Sequence, residues 1–162
     1  MMMKKLVCIL TLMVLSSAAN AEGGLDAQRI YLGGGLGFNN LPGYGSARGF
    51  QFFGGYDFAF KLNDDISSAI ELGYMDTGNF DRYNAPNSNE DVKGLWVAML
   101  ESVPLSSKTD MLVRLGYDFG DDDGFLLGTG MQYKFTTKVA MRMEYIARQN
   151  VSGLQANVLF HF

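Results

Sequence analysis

Gly153-Leu154-Gln155-Ala156-Asn157-Val158-Leu159-Phe160-His161-Phe162 alternates between two classes of residue. Leu154, Ala156, Val158, Phe160 and Phe162 form an apolar set, while Gly153, Gln155, Asn157, Leu159 and His161 form a mixed one. Successive side chains of an extended chain point to opposite faces, so this period of two predicts a strand with two unlike sides. Working back through the sequence, the same alternation recurs seven times. The apolar sets are Ile30, Leu32, Gly34, Leu36 and Phe38; Phe50, Phe52, Gly54, Tyr56 and Phe58; Ser68, Ile70, Leu72 and Tyr74; then Leu95, Val97, Met99, Glu101 and Val103. Met111 to Phe119, Phe125 to Phe135 and Val139 to Ala147 complete the eight.

Residues 1–21 stand apart from this pattern. Lys4 and Lys5 precede an apolar run from Leu6 to Leu15, and Ala19-Asn20-Ala21 offers a small-x-small cleavage site, which together predict a secretory signal. Residues 22–162 are then one exported domain, without cysteine because Cys8 lies in the signal. The chain has 162 residues with 12 Phe, 8 Tyr and 1 Trp, too rich in aromatics for a disordered segment. Lys and Arg number 13 against 17 Asp and Glu, which leaves no basic footprint for nucleic acid. No apolar run in 22–162 is long enough for a membrane-crossing helix.

Eight two-faced strands can pack as a soluble sandwich or close as a barrel. A sandwich needs a densely charged, glycine-poor outer face. Here the apolar sets hold one charge, Glu101, whereas the opposite sets mix acids, bases and many glycines. Short side chains and paired charges suit the cramped inside of a closed barrel, and the apolar face then meets lipid. Aromatic residues gather at both ends of the apolar sets, as girdles do at two membrane interfaces. The expected fold is therefore all-β, an eight-stranded antiparallel up-and-down transmembrane β-barrel. Links 59–65, 104–109 and 136–137 are short, and 39–47 and 76–91 are longer and polar, placing the long loops on one side.

Several segments resemble the eight-stranded OmpA-type outer-membrane barrels and the small OmpX/Ail-type barrels. They include Ile30-Tyr31-Leu32-Gly33, Phe53-Gly54-Gly55-Tyr56, Glu71-Leu72-Gly73-Tyr74, Arg114-Leu115-Gly116 and Arg142-Met143-Glu144-Tyr145. The resemblance covers 28–162 and implies a monomeric barrel in the Gram-negative outer membrane. It carries long loops outside the cell, both termini in the periplasm, and no peptidoglycan-binding domain. Phe160 and Phe162 are similar to the aromatic-ending strand that the barrel-assembly machinery recognises in such proteins. Glu71, Arg114, Arg142 and Glu144 match an interior ion-pair network, which Asp57, Asp118, Lys134 and His161 are placed to join.

The functional expectations follow from these placements. A primarily structural, envelope-integrity role is expected, with loops 39–47 and 76–91 open to a host or phage ligand. Outward-facing Arg48 and Lys93 at the loop side are candidates for lipopolysaccharide phosphates. A narrow ion-conducting channel is the alternative, and the bulky inward residues Tyr31, Phe53, Met75, Trp96, Leu100 and Leu112 argue against wide passage. A lipid A-modifying hydrolase would need a histidine beside a nucleophile near the outer leaflet, and the one histidine, His161, lies at the opposite end. Asp121-Asp122-Asp123-Gly124 lacks the spacing of a calcium loop and reads as a hairpin tip. No catalytic, cofactor or metal site is expected.

Overall fold

The computed structural model describes residues 26–63, 66–82 and 85–162, leaving aside the side chains of 59–63, 82 and 85–89. The predicted signal, 1–21, lies outside the described residues. After a single 3-10 turn, Ala27–Arg29, capped by Asp26, the chain forms eight strands. They are β1 Ile30–Asn40, β2 Ser46–Asn63, β3 Ile66–Arg82, β4 Ala85–Pro104, β5 Thr109–Asp118, β6 Gly124–Lys134, β7 Val139–Ala147 and β8 Ser152–His161. Each pairs antiparallel with its chain neighbours, and β1 pairs with β8 from Tyr31↔His161 to Asn40↔Ser152, closing the barrel.

Following the register from Gly35 through all eight strands returns to β1 ten positions further along. With strands about 4.8 Å apart and about 3.3 Å of rise per residue, that stagger tilts the strands by roughly 40°. The ten residues of β5 then rise about 25 Å, the height of the apolar band of an outer-membrane barrel. Closure at the β1–β8 seam depends on Gly35. A Cβ there would run into the Ala156 carbonyl oxygen and Asn157 Oδ1, so only the smallest residue lets the two strands approach.

The two alternating sets sort cleanly. Leu36 is 67% and Phe125 74% exposed, while Tyr31, Trp96, Leu112 and Ile146 are at most 1% exposed. The interior is thus the packed side, and an outer surface this continuous in apolar residues requires lipid rather than water around it. Aromatic pairs mark both ends of the belt: Tyr117 with Phe119 and Phe125 at one, Tyr133 with Phe135 and Phe160 with Phe162 at the other. The second end, which also carries the termini, has two turns of the same build. Ser106 Oγ accepts from Lys108 N and Thr109 N, and Thr136 Oγ1 from Lys138 N and Val139 N. A hydroxyl at the first turn position satisfies backbone donors two and three residues on.

Three links differ from expectation. Segment 59–65 is mostly strand, because β2 continues to Asn63. The link 39–47 shrinks to 41–45, and 76–91 is a protruding hairpin in which β3 and β4 stay paired through Asn79↔Asp91, Phe80↔Glu90 and Asp81↔Asn89. A small apolar cap accounts for the extra pairing. Phe80 is fully buried and Val92 nearly so, with Leu41 and Tyr44 of the β1–β2 link packed against the same core. Gly45 N donates to Asp81 O at 2.9 Å, tying that link to the hairpin. Gly78, at φ +73°, makes the irregularity between Asp76 and Asn79. Its missing Cβ leaves room for the Arg48 carbonyl.

Candidate functional site

Midway along the lumen, alternation directs Glu71 from β3, Arg114 from β5, and Arg142 and Glu144 from β7 toward the axis. Arg114 Nη2 donates to Glu71 Oε2 at 2.6 Å and to Glu144 Oε2 at 3.0 Å. Arg142 Nη1 donates to Glu71 Oε1 at 2.6 Å and lies 4.0 Å from Glu144 Oε2. All four residues are at most 2% exposed. The Tyr31 hydroxyl donates to Glu71 Oε1 at 2.6 Å, and Gln132 Oε1 accepts from Arg142 Nε at 3.0 Å. Arg114 stacks over Trp96, 4.7 Å from the ring centroid, and Arg142 over Phe53 at 5.6 Å. Two charges of each sign, sandwiched by aromatic rings, fill the middle of the lumen and offset one another where water is scarce, although Arg114 Nε and Glu144 Oε1 have no hydrogen-bond partner among the described residues.

The remaining predicted members do not join this cluster. Asp118 pairs with Arg148 at 3.1 Å near the loop end. Lys134 pairs with Asp110 at 2.6 Å, and Asp57 lies 3.8 Å from His161, both at the termini end. The single network expected from the sequence is therefore four separate groups, because the stagger of the strands lifts some inward positions well clear of others. Tyr31, Gln132, Asp110 and Arg148 were not singled out as partners from the sequence, although the first three sit at inward positions of their strands and Arg148 continues the alternation one residue past β7. His161 packs on the Tyr31 ring at 4.9 Å, and among the described residues no hydrogen bond joins it to a serine. Asp57, Asp110, Gln132, Lys134 and His161 help line a half-open vestibule of about 720 Å³ at this end.

At the loop end, Asp122 is buried and spent on a neighbouring turn. Its carboxylate accepts from Asn150 N, Asn150 Nδ2 and Val151 N at 2.7–3.1 Å. Lys93 is engaged with Asp91 at 2.5 Å, and this contact holds the Asp91 carboxyl below, and the Lys93 ammonium above, their ordinary ranges. Arg48 lies over the Phe38 ring at 5.7 Å, exposed, and forms no ion pair among the described residues. Phe160 and Phe162 face outward at the termini end, where Phe162 N donates to Ile30 O at 3.2 Å.

Charge is distributed unevenly along the barrel axis. Inside, Glu71, Glu144 and Asp118 balance Arg114, Arg142 and Arg148. Among the described residues the termini end has four acids (Asp26, Asp57, Glu101, Asp110) and five bases (Arg29, Lys61, Lys108, Lys134, Lys138). The loop end has Asp76, Asp81, Glu90, Asp91, Asp121, Asp122 and Asp123 against only Arg48, Arg82 and Lys93. One strand edge is also left over there. Pairing of β4 with β5 begins at Trp96↔Asp118, with only Leu95 O and Lys93 O accepting from the following link. From Ala85 to Val92 the far side of β4 meets no strand among the described residues.

A model of the outer membrane protein beta-barrel domain matches residues 8–158. The chain belongs to that family. This outer membrane β-barrel is similar in fold to Ail, the attachment invasion locus protein of Yersinia pestis, at 14% identity. The TM-score is 0.52, with 82% of this chain and 95% of that one covered. It is also similar to Neisserial surface protein A, at 17% identity and TM-score 0.52, covering 86% and 100%. A de novo designed transmembrane β-barrel matches at 16% identity and TM-score 0.54, covering 83% and 96%. No curated protein sequence matches the chain. The family places the barrel in the outer membrane, so the apolar belt is its lipid-facing surface.

Proposed function

We propose that this outer-membrane barrel is a plugged, structural envelope protein that offers a binding edge at the cell surface. The observation that carries this is the β3–β4 hairpin. It continues past the apolar belt, is stiffened by Phe80, and leaves the β5 side of β4 without a partner strand from Ala85 to Val92 among the described residues. Unpaired strand edges are templates for another extended chain. The loop end faces outside and both termini face the periplasm, in keeping with short turns at the termini end. The chain closes on itself through β1 and β8, which suits a monomer. Phe160 and Phe162 serve as the signal for assembly, and Arg48 meets lipopolysaccharide phosphate, with Lys93 available only when it leaves Asp91.

The central ion pairs act as a structural plug, so steady solute passage is not part of this role. The role is also non-catalytic, since the one histidine lies at the periplasmic rim beside Asp57 and Tyr31. Ail has been solved in complex with a heparin analogue. Here seven acids outnumber three bases at the loop end, so a sulfated glycan is not the ligand we assign. Single cysteines test the topology in a chain whose one cysteine is Cys8. On intact cells an impermeant maleimide should label Asp123→Cys and spare Thr137→Cys. The reverse pattern overturns the orientation, and reproducible single-channel steps in planar bilayers overturn the plug.

A further inference from the structure

The free edge of β4 and the excess of acid meet at one place. Phe119 N donates to Leu95 O at 2.8 Å and Asp121 N to Lys93 O at 3.1 Å. Odd positions of β4 therefore aim their backbone groups at the β5 side, while Val92 N turns the other way to Thr77 Oγ1 at 3.0 Å. By the same parity, the backbone groups of Asn89 and Asp91 face the side where no strand follows. Glu90 and half-exposed Asp91 lie on this edge, and exposed Asp121, one of whose carboxylate oxygens accepts from Lys93 N at 3.2 Å, and exposed Asp123 stand on the β5–β6 link beside it. Lys93, a base beside this edge, is engaged with Asp91. An added strand would thus lie between two sets of carboxylates.

We propose that this edge takes an extended cationic peptide segment, rich in Lys or Arg, as an added antiparallel or parallel strand. This rests on the surface-binding role above and names its partner by chemistry. Backbone groups at Asn89 and Asp91 supply the ladder hydrogen bonds, and Glu90, Asp121 and Asp123 select for positive charge. An anionic strand meets repulsion from both sides, and a neutral one gains the ladder without the selection. Charge selection at an exposed surface is screened within about 8 Å at physiological ionic strength, so binding should be strongly salt-dependent.

The test uses the full barrel in lipid nanodiscs and three octapeptides: alternating Lys-Val, Thr-Val and Glu-Val. The expected order is Lys-Val tightest, Thr-Val about tenfold weaker and Glu-Val without measurable binding. Raising the salt from about 0.05 to 0.5 M should weaken Lys-Val about tenfold, toward the Thr-Val value. Glu90→Gln with Asp121→Asn should do the same at low salt. Asn89→Pro removes one outward edge donor without touching the β3 ladder, as proline is tolerated on an edge, and should weaken Lys-Val and Thr-Val alike. If Thr-Val binds as tightly as Lys-Val, the cationic preference is overturned while the edge stands. Lys-Val binding that ignores Asn89→Pro overturns the added strand. If none of the three binds, the surface-binding role itself falls.

Discussion

Replacing Glu71 by alanine removes one of the two carboxylates that face two buried guanidinium groups. Glu71 is 2.6 Å from both Arg114 Nη2 and Arg142 Nη1. The carboxylate that remains, Glu144, is 3.0 Å from Arg114 but 4.0 Å from Arg142. Arg142 is left with Gln132 and the faces of Phe53 and Tyr31, none of which neutralises it. Breaking a buried pair by deleting one partner costs about 3–5 kcal/mol, and the stranded Tyr31 hydroxyl adds about 1 kcal/mol. The open vestibule admits some water, which favours the lower end, so we expect a loss of about 4 kcal/mol. That is about a thousandfold in the unfolding equilibrium. The assay is reversible urea unfolding from phospholipid vesicles, followed by fluorescence of Trp96, the chain's one tryptophan, whose ring lies against Arg114. Pairing Glu71→Ala with Arg142→Met restores charge balance and should recover at least half of the loss, a coupling that a double-mutant cycle measures. A loss under about 1 kcal/mol, or strictly additive costs, would refute the view that mutual neutralisation holds the plug.

Four further outcomes are expected. Phe80→Ala should cost about 3 kcal/mol locally, read as faster amide exchange in 76–92 with β5 to β8 unchanged. Asp122→Ala should raise exchange at Asn150 and Val151, and lower stability by about 1–2 kcal/mol for the lost acceptor. Gly35→Val should abolish the heat-modifiable gel shift of a closed barrel. Gly34→Val, whose Cβ would point outward and meet nothing closer than 3.3 Å, should keep it. Arg48→Ala should reduce the lipopolysaccharide retained on purification, whereas Lys93→Ala should change it little, because the Lys93 ammonium is held by Asp91.

The eight strands, and which residue of each faces in, were legible because a closed barrel wall imposes the period of two on every strand. Tyr31, Trp96 and Leu112 inside, and Leu36 and Phe125 outside, need no tertiary knowledge to be assigned. The hairpin at 76–92 was not legible. Phe80 shares a polar stretch with Tyr83, and no local pattern marks it as part of the buried core against which Leu41 and Tyr44 of another link also pack. Ion-pair partners were half legible. The sequence names inward charges, but which of them share a level is decided by the ten-residue stagger, and no local pattern encodes that stagger. Hence Asp118 meets Arg148, and Lys134 meets Asp110, rather than all converging on Glu71.

The lopsided charge along the axis also bears on how the protein enters and leaves its membrane. In the proposed orientation, a barrel that inserts from the periplasm must carry the acidic rim through the hydrocarbon, where each ionised side chain costs about 2.5–3.5 kcal/mol at the midplane. The termini rim never makes that crossing. Spontaneous insertion is therefore slow, and a catalyst that thins or opens the bilayer gains most by easing the passage of the hairpin. Once across, the same seven carboxylates oppose the return journey. In that orientation the acidic rim works as a one-way latch, giving the inserted state a lifetime set by a barrier rather than by its equilibrium stability.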